Sequence, residues 1–419
     1  MRIIYLYSKY IFLSLLLTLS FNAYAEQTIQ IIGGVTNGNP SLAIVNFNSD
    51  GKNSIARVIY NDLNVTGEFA LRNMATSSQV ESGILYTIVG SIESVGANKF
   101  KISYQLINNK NSSNMLNQAI TFDAKEFRKA IHTISNSVYE KITSVKGVFN
   151  SQIAYIAKDG RYYKLIVSDY DGYNPKIIVN SASVLSSIAW SKDGNQIAYV
   201  SWEKDTKPTV WVQNLSLGNR YLASDFSGSN SSPTFTPDGK QLLVTLTKDD
   251  DGSHIYLVNN QKYIKNQTPS AQLINFGTID TEADVDSQGN IIFVSDHDGG
   301  PQIFLSNMKG TTPKRLTNNL GNYNTTPRYS PDGNKLTFIN RLDGTLKAYV
   351  LDLATQAAYP ISQATNQDVA PSFAPNGKLI MFSSDNTIYI SNSTGTQQTS
   401  LGNINFSAII DQRWSNSLE

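Results

Sequence analysis

The sequence predicts a multidomain protein, with a small N-terminal α/β domain followed by a six-bladed β-propeller. Three observations predict this fold. Turn motifs of one design recur through the second half of the chain, and a split copy of the same unit joins the two ends of that half. Upstream of the repeats, the chain has a strand–helix–strands–helix pattern. The glycines of the repeated turns are 45, 50, 44 and 44 residues apart, at Gly194, Gly239, Gly289, Gly333 and Gly377. A period near 45 with strand signals in every unit is typical of a propeller.

Each repeat has a local physical cause. In the Ser-Pro-Asp-Gly turn that ends at Gly333, Pro331 presets φ and the glycine accepts a positive φ. The run that follows a turn, such as residues 196–201, is apolar on both faces, as expected for a strand between neighbouring blades. Two weaker strands, such as residues 209–214 and 219–224, bring each unit to the four strands of a propeller blade.

The sixth blade is divided between the two ends of the repeat region. The run that begins at Gln152 matches the run that begins at Gln196, but no strand and turn precede it. The missing strand is found at the other end, where Gln412-Arg-Trp-Ser resembles Ala189-Trp-Ser. The sequence therefore predicts a ring closed by its C-terminal strand, which removes an open sheet edge. Loss of residues 411–415 is expected to destabilise the whole ring.

Upstream of the propeller, residues 41–148 are predicted to form the α/β domain, and residues 149–419 the propeller. Gly147 lies between them as a hinge or a helix stop. Periodicity predicts the elements of the domain, which are a strand at 41–47, a helix at 53–63, strands at 85–95 and 99–108, and a helix at 124–145.

The N-terminus has the order of a secretory signal peptide at residues 1–25. Arg2 and Lys9 precede an apolar run at 11–21, and Ala23-Tyr-Ala25 supplies a cleavage site. An uncleaved anchor is the alternative, although the apolar run is about half of what a membrane span requires. We expect an exported protein that begins at Glu26, and the absence of cysteine suits a bacterial periplasm.

Residues 26–40 are predicted to be a flexible N-terminal arm. Ile29, Ile31 and Ile32 could form a short strand, and the glycines around them favour flexibility. An ordinary frayed terminus is the alternative interpretation.

Composition argues against several functions. The net charge is +1 and only 16% of residues are charged, which disfavours nucleic acid as a partner. The three histidines are His132, His254 and His297, and no Gly-x-Ser-x-Gly nucleophile motif occurs. Acidic turns at 249–252 and 296–299 lack the oxygen spacing of a calcium loop and are interpreted as solvated hairpins, which leaves open a cation in the channel. No catalytic residue, cofactor or metal ligand is predicted.

Several segments together resemble the TolB family, the periplasmic component of the Tol–Pal system of Gram-negative bacteria. They are the junction that begins at Gly147-Val-Phe-Asn, the helix ending at Asp62-Leu-Asn-Val-Thr-Gly, the hairpin at Ser295-Asp-His-Asp-Gly, and Trp414-Ser. The resemblance implies a non-enzymatic, monomeric protein that supports outer-membrane integrity and constriction at division. It also implies that the propeller binds the lipoprotein Pal and that the arm contacts TolA, with other outer-membrane lipoproteins or porins as further partners.

Polar residues recur at one phase of the repeat, just before each turn motif, where loops enter the innermost strands. We expect them to surround one mouth of the channel, although such residues can also merely cap strands. The residues predicted to contact Pal are Asn230, Thr281, Glu282, Thr326, Arg328, Asp368 and Asp411, and those predicted to contact TolA are Gln27, Ile29, Ile31 and Ile32. The alternative function is a propeller enzyme or glycan-binding protein acting on cell-wall material.

Overall fold

The computed structural model describes residues 31–32, 38–51, 54–204, 207–248, 252–363, 365–402, 404 and 406–416. The predicted signal peptide lies outside the described residues, as do Gln27 and Ile29 of the predicted arm. None of the helices in the described ranges is long and apolar enough to span a membrane.

The first region consists of a five-stranded sheet and two helices. The described part of the chain begins with a two-residue strand, β1 (Ile31–Ile32), which pairs with the propeller and not with this sheet. The elements that follow are β2 (Ser41–Val45), α1 (Ser54–Asn64), β3 (Ala70–Met74), β4 (Tyr86–Gly96), β5 (Lys99–Asn108), β6 (Ser113–Asp123) and α2 (Phe127–Thr143), with short 3-10 turns at Ser77–Gln79 and Ala124–Glu126.

This α/β sheet has the order β3-β2-β4-β5-β6. The strand β2 is parallel to β3 and β4, and the remaining pairs are antiparallel. The predicted apolar face of α1 is buried, since Ile55, Ile59 and Leu63 are each fully covered. Two strands, β3 and β6, were not predicted, and β6 is largely exposed with Phe122 as its one buried residue. A mostly polar edge strand has no apolar alternation by which a sequence could reveal it.

The propeller strands follow in chain order. They are β7 (Gln152–Asp159), β8 (Tyr162–Asp169), β9 (Lys176–Ser181), β10 (Leu185–Trp190), β11 (Gln196–Ser201), β12 (Thr209–Asn214), β13 (Arg220–Ser224), β14 (Asn230–Phe235), β15 (Gln241–Thr247), β16 (Ser253–Asn259), β17 (Ala271–Ile274), β18 (Asp280–Val285), β19 (Asn290–Ser295), β20 (Gln302–Asn307), β21 (Lys314–Arg315), β22 (Asn324–Tyr329), β23 (Lys335–Leu342), β24 (Thr345–Asp352), β25 (Ala358–Pro360), β26 (Val369–Phe373), β27 (Leu379–Ser384), β28 (Thr387–Asn392), β29 (Gln398–Ser400) and β30 (Ala408–Trp414).

These strands form six blades, so the predicted six-bladed propeller is confirmed. Blade 1 is β30-β7-β8-β9, and blades 2 to 6 follow in sequence from β10, β14, β18, β22 and β26. The C-terminal strand β30 pairs antiparallel with β7, and Trp414 lies opposite Ile153. Each blade's first strand contacts the first strands of its neighbours, which closes the ring around a central channel. We call β30, β10, β14, β18, β22 and β26 the inner strands.

The two ends of each inner strand define the two faces of the ring. The loop face is where the chain enters the inner strands, and the turn face is where the repeated turns follow them. At Gly194, Gly239 and Gly333 the backbone φ is 71°, 69° and 73°, as the turn design requires.

The α/β region packs against blades 1 and 6 on the side of the turn face. One continuous apolar core contains Phe149, Tyr170 and Trp414 together with the helices, and the rings of Tyr170 and Trp414 are stacked at 6.1 Å. Gly147 does not serve as an open hinge, because a Cβ there would lie 2.2 Å from the side chain of Asn136. The junction therefore needs glycine for a close approach between chain segments.

The short strand β1 extends blade 6 at its outer edge. Ile31 pairs with Thr399 and Ile32 with Gln398, antiparallel to β29. This part of the predicted arm thus folds back on the propeller.

Candidate functional site

All six inner strands carry an irregularity in register at one level of the ring. Five residues at this level are not glycine and yet have positive φ, namely Ser187 (56°), Ser232 (47°), Glu282 (55°), Thr326 (51°) and Ala370 (46°). A left-handed backbone is unfavourable for such residues. A β-bulge re-aims side chains and is common next to functional sites, so the bulged level marks the loop face as a candidate site.

Two of the predicted contact residues lie beneath this face. Asn230 and Asp368 are both fully buried. The Asn230 side chain accepts hydrogen bonds from Ser224 Oγ and the Phe226 amide, and the Asp368 carboxylate accepts one from the Ala348 amide at 2.9 Å. They cap loops and strands, so we exclude them from the proposed contact surface.

Thr281 and Thr326 are half-buried beside the channel. Thr281 Oγ1 accepts a hydrogen bond from Thr245 Oγ1 at 3.2 Å and lies 3.4 Å from Ser232 Oγ, so it joins blades 3 and 4. Thr326 Oγ1 is buried and has no hydrogen-bond partner among the described residues.

Two carboxylates of the bulged level bridge neighbouring blades. Glu282 accepts the Thr326 amide at 2.6 Å, and Asp411 accepts the Ile188 amide at 2.7 Å. Burial raises the pKa of Glu282, and the charge of Arg328 offsets only part of this. Burial likewise raises the pKa of Asp411. Both carboxylates are therefore poorly solvated anions near the loop face, an environment that suits a basic or hydrogen-bond-donating group of a partner.

Two arginines lie one step deeper in the channel, next to the aromatic end of each inner strand. Arg413 of blade 1 reaches across the ring to blade 4, where its Nη2 lies 3.1 Å from Asp284 Oδ1. Burial and the repulsion of Arg328 lower the pKa of Arg413 to about 10. Arg328 donates a hydrogen bond to the Pro327 carbonyl at 2.7 Å and forms no ion pair with a described carboxylate. The structure thus places Arg328 below the carboxylate level rather than on the rim.

A cavity of about 200 Å³ opens beneath these arginines on the turn face. Its lining includes Arg328, Arg413, Asp284, Lys192 and the two tryptophans Trp190 and Trp414. Sequence reasoning missed Asp284, Arg413 and Lys192. The first two share the repeat phase of Arg328, two residues after the bulge, and three charged residues at that phase were a usable signal.

A second buried charge cluster joins the α/β region to blade 1, and we call it the interdomain cluster. His132 Nδ1 lies 2.8 Å from Asp62 Oδ2, and Nε2 lies 3.5 Å from Asp171 Oδ2. Arg128 also pairs with Asp171, and Tyr170 donates to Asp62 at 2.6 Å.

The ionisation of the interdomain cluster follows from these contacts. Burial alone would lower the pKa of His132, but the Asp62 and Asp171 carboxylates raise it to about 10. Burial alone would raise the pKa of Asp171, but His132 and Arg128 lower it to about 2.

The ligand atoms of Asp62, His132 and Asp171 lie within 4.8 Å of one another, which is close enough to hold a metal ion. However, the carboxylates approach opposite ring nitrogens, and Arg128 already occupies Asp171. The arrangement therefore fits a protonated imidazole between two carboxylates better than a metal centre. We therefore assign His132 a structural role.

The other histidines lie in hairpin surroundings. His254 Nδ1 lies 3.0 Å from the buried Asp280 carboxylate. His297 contacts the Phe276 carbonyl at 3.0 Å and stacks on the Phe276 ring. Of the two acidic turns, residues 249–251 lie outside the described residues, and in the second turn Asp298 pairs with Arg315 at 3.2 Å.

Known proteins resemble this chain in sequence and in fold. The family model described as the TolB beta propeller domain matches residues 139–418. "Tol-Pal system protein TolB" of Bordetella parapertussis is 35% identical over 302 residues, which cover 69% of this chain and 67% of that protein. The protein of the same name from Chromobacterium violaceum is 34% identical over 225 residues, 50% of this chain and 52% of that protein, so this match spans about half of the relative's length.

A solved structure matches over a longer range. The crystal structure of TolB from Acinetobacter baumannii has a TM-score of 0.80 and 28% identity to this chain, and the match covers 93% of this chain and 100% of that one. The likeness therefore includes the α/β region as well as the propeller.

Proposed function

This chain belongs to the TolB family, and from that premise we propose that it is a non-enzymatic, periplasmic protein-binding component of a Tol–Pal system. In this proposal the loop face of the propeller binds the lipoprotein Pal and the N-terminal arm binds TolA. The role of such a complex is to link the outer membrane to the rest of the envelope and to support its constriction at division.

The observation that carries the Pal proposal is the pair of poorly solvated carboxylates at the bulged level, Glu282 and Asp411. Each already accepts one backbone amide of the next blade. Remaining acceptor sites on a carboxylate are open to a partner donor, since a carboxylate can accept about four hydrogen bonds. Thr281 and Thr326 flank Glu282 and complete the proposed contact surface, and a contact from Arg328 stays a prediction because that side chain lies deeper.

Calorimetry with purified Pal tests this surface. We expect Glu282→Gln to weaken Pal binding by about 1 kcal/mol or more, as at an interface hot spot. The matched control is Asp238→Asn, which removes a carboxylate from an exposed turn of the turn face. Equal affinities for Glu282→Gln and the unmodified protein would contradict the assignment of the loop face.

The proposal for TolA is supported by the position of β1. A strand that extends a sheet edge through main-chain hydrogen bonds can exchange that edge for the edge of a partner sheet. Ile31 and Ile32 pair with β29 at the outer edge of blade 6. We propose that the arm either pairs with β29 of its own propeller or binds TolA, but does not do both at once. We further propose that Pal on the loop face controls the release of the arm from β29.

Deletion of residues 27–34 tests the arm. We expect the deletion to abolish TolA binding and to leave the propeller able to bind Pal. Unchanged TolA binding would contradict the role of the arm. Incubation of the intact protein with peptidoglycan fragments, with analysis of the products, separates this proposal from the alternative of a cell-wall enzyme.

A further inference from the structure

We propose that the cavity on the turn face binds the C-terminal carboxylate of a peptide whose last residue is apolar. We call it the turn-face cavity. It opens on the opposite face from the proposed Pal surface, and the residues that line it all belong to the propeller. The inference concerns a second ligand and does not depend on the proposed function.

More cations than carboxylates line the turn-face cavity, namely Lys192, Arg328 and Arg413 against Asp284 and Asp286. The Asp284 carboxylate is satisfied, because it pairs with Arg413 and accepts the Tyr329 amide at 2.8 Å. Asp286 is satisfied by its own turn, since it accepts the amides of Gln288 and Asn290. Among the described residues Arg328 makes one hydrogen bond, to a carbonyl, and no ion pair, and the charges of Glu282 and Asp411 act on it from the bulged level and not from the cavity. A half-buried cation with open donors favours an anion in the cavity.

The planar guanidinium of Arg328 favours a carboxylate as the anion. A guanidinium presents parallel N–H groups that match the two oxygens of a carboxylate. Lys192 is exposed at the mouth of the cavity and adds positive charge on the path to Arg328. Both cations disfavour a ligand that carries an amine at the same end.

Proline and aromatic side chains form part of the wall of the cavity. Pro237, Pro331 and Pro375 of three repeated turns border the cavity, beside the aromatic ends of the inner strands. The rings are held in place: Trp190 Nε1 donates to the Arg413 carbonyl at 3.1 Å, and Trp414 Nε1 donates to Ser151 at 2.7 Å. A rigid wall of prolines and ring edges around a guanidinium suits an apolar body attached to a carboxylate. Inorganic phosphate has no group to contact these walls.

The size of the cavity sets the extent of the ligand. A volume of about 200 Å³ accommodates a terminal residue and part of its neighbour, not a folded domain. The occupant is therefore the end of an extended peptide, held by charge at its terminus and by apolar contact along its side chain.

Tryptophan fluorescence provides the measurement, because two of the four tryptophans line the cavity. The probes are N-acetyl-phenylalanine, its amide, and orthophosphate, titrated at constant ionic strength. We expect saturable quenching by the free acid, binding of the amide at least tenfold weaker, and weaker competition by phosphate than by the acid. Equal binding of acid and amide, or competition by phosphate at concentrations as low as those of the acid, would overturn the proposed ligand class.

Variants locate the site. Arg328→Gln is expected to weaken binding of the acid at least tenfold and to remove the preference over the amide, whereas Arg328→Lys should keep part of the preference. The control is Arg341→Gln, which removes an exposed guanidinium that stacks on Tyr323. Thermal unfolding verifies that each variant is folded. Unchanged acid binding in folded Arg328→Gln overturns the inference, and Pal affinity, measured separately, tests the loop face alone.

Discussion

The interdomain cluster and the charged groups of the channel are both removed from solvent, but they differ in how completely they are paired. In the interdomain cluster His132 lies between the carboxylates of Asp62 and Asp171. Arg128 and Tyr170 supply further bonds to the same carboxylates. The charges balance locally, and the groups come from both sides of the junction between the α/β region and the propeller.

The interdomain cluster is paired by charge, although His132 Nε2, 3.5 Å from Asp171 Oδ2, makes no hydrogen bond to a described residue. The charged groups of the channel are less completely paired. Among the described residues of the channel, Arg413 and Asp284 form an ion pair, Arg328 forms none, and Thr326 Oγ1 is buried without a hydrogen bond. Burial without full pairing costs stability. The interdomain cluster therefore stabilises the junction between the two regions, whereas the channel retains polar groups that a ligand or partner can satisfy.

The largest expected effect comes from breaking the interdomain cluster. His132→Ala leaves two buried carboxylates with less positive charge to balance them, so we expect a loss of about 3–5 kcal/mol in the free energy of unfolding. Urea denaturation measures it. His297→Ala is the control, because His297 is exposed and its loss should cost about 1 kcal/mol at most. A loss below about 1 kcal/mol for His132→Ala would show that the cluster does not stabilise the junction.

The pH dependence of stability should carry the signature of the same cluster. The pKa of His132 is raised to about 10, so its contribution is complete below about pH 6.5 and is lost as the pH rises toward 10. The pKa of Asp171 is lowered to about 2, so its contribution is complete above about pH 4 and is lost as the pH falls toward 2. Each group changes the free energy of unfolding by at most about 1.4 kcal/mol per pH unit.

The test is urea denaturation of the unmodified protein and of His132→Gln at pH 6, 7.5 and 9, which roughly span the interval over which the His132 contribution is lost. Comparison of the two proteins separates the titration of His132 from that of Tyr170, Asp62 and Arg128 around it. The unmodified protein should lose stability between the first and last pH, and the variant should lose less. Parallel profiles would mean that His132 is not charged in the folded state.

Removal of a channel charge should have a smaller effect, of the opposite sign. Burial raises the pKa of Glu282, so ionisation of this carboxyl is less favourable in the folded protein than in the unfolded chain. Glu282→Gln keeps an oxygen acceptor for the Thr326 amide, and we expect the free energy of unfolding to stay the same or to rise by up to about 1 kcal/mol. Denaturation at pH 7 measures it. A loss above about 2 kcal/mol would place Glu282 with the structural charges of the interdomain cluster.

Much of the fold could be predicted because turn chemistry is local. The glycine of each repeated turn, and the proline of three of them, favour the turn conformation locally. The spacing of the glycines gives the number of blades once the strand at Trp414 is joined to the run at Gln152. The strand β6 could not be predicted in this way, since its partner β5 and not its own apolar pattern holds it in the sheet.

For the candidate site, the sequence predicts only which position of each repeat contributes residues, not which of those residues are accessible. The polar residues before each turn do lie at one level, but the preceding loops bury Asn230 and Asp368, and no local pattern reveals that. The Arg413–Asp284 pair joins residues 129 positions apart on opposite blades, and such a contact depends on ring closure. The same is true of Asp62 and Tyr170, which are 108 positions apart.

The smallest expected effect belongs to an exposed ion pair that serves as a baseline for both regions. Glu93 and Lys101 lie opposite each other on β4 and β5, 3.0 Å apart, with side chains 59% and 39% exposed. Solvent screens such a pair, so Glu93→Gln should change the free energy of unfolding by less than about 0.5 kcal/mol in urea denaturation. If its cost equalled that of His132→Ala, burial and charge pairing would not be what makes the interdomain cluster structural. A near-zero value, measured beside the other two variants, would instead show that stability follows the pairing of buried charge and not the mere presence of an ion pair.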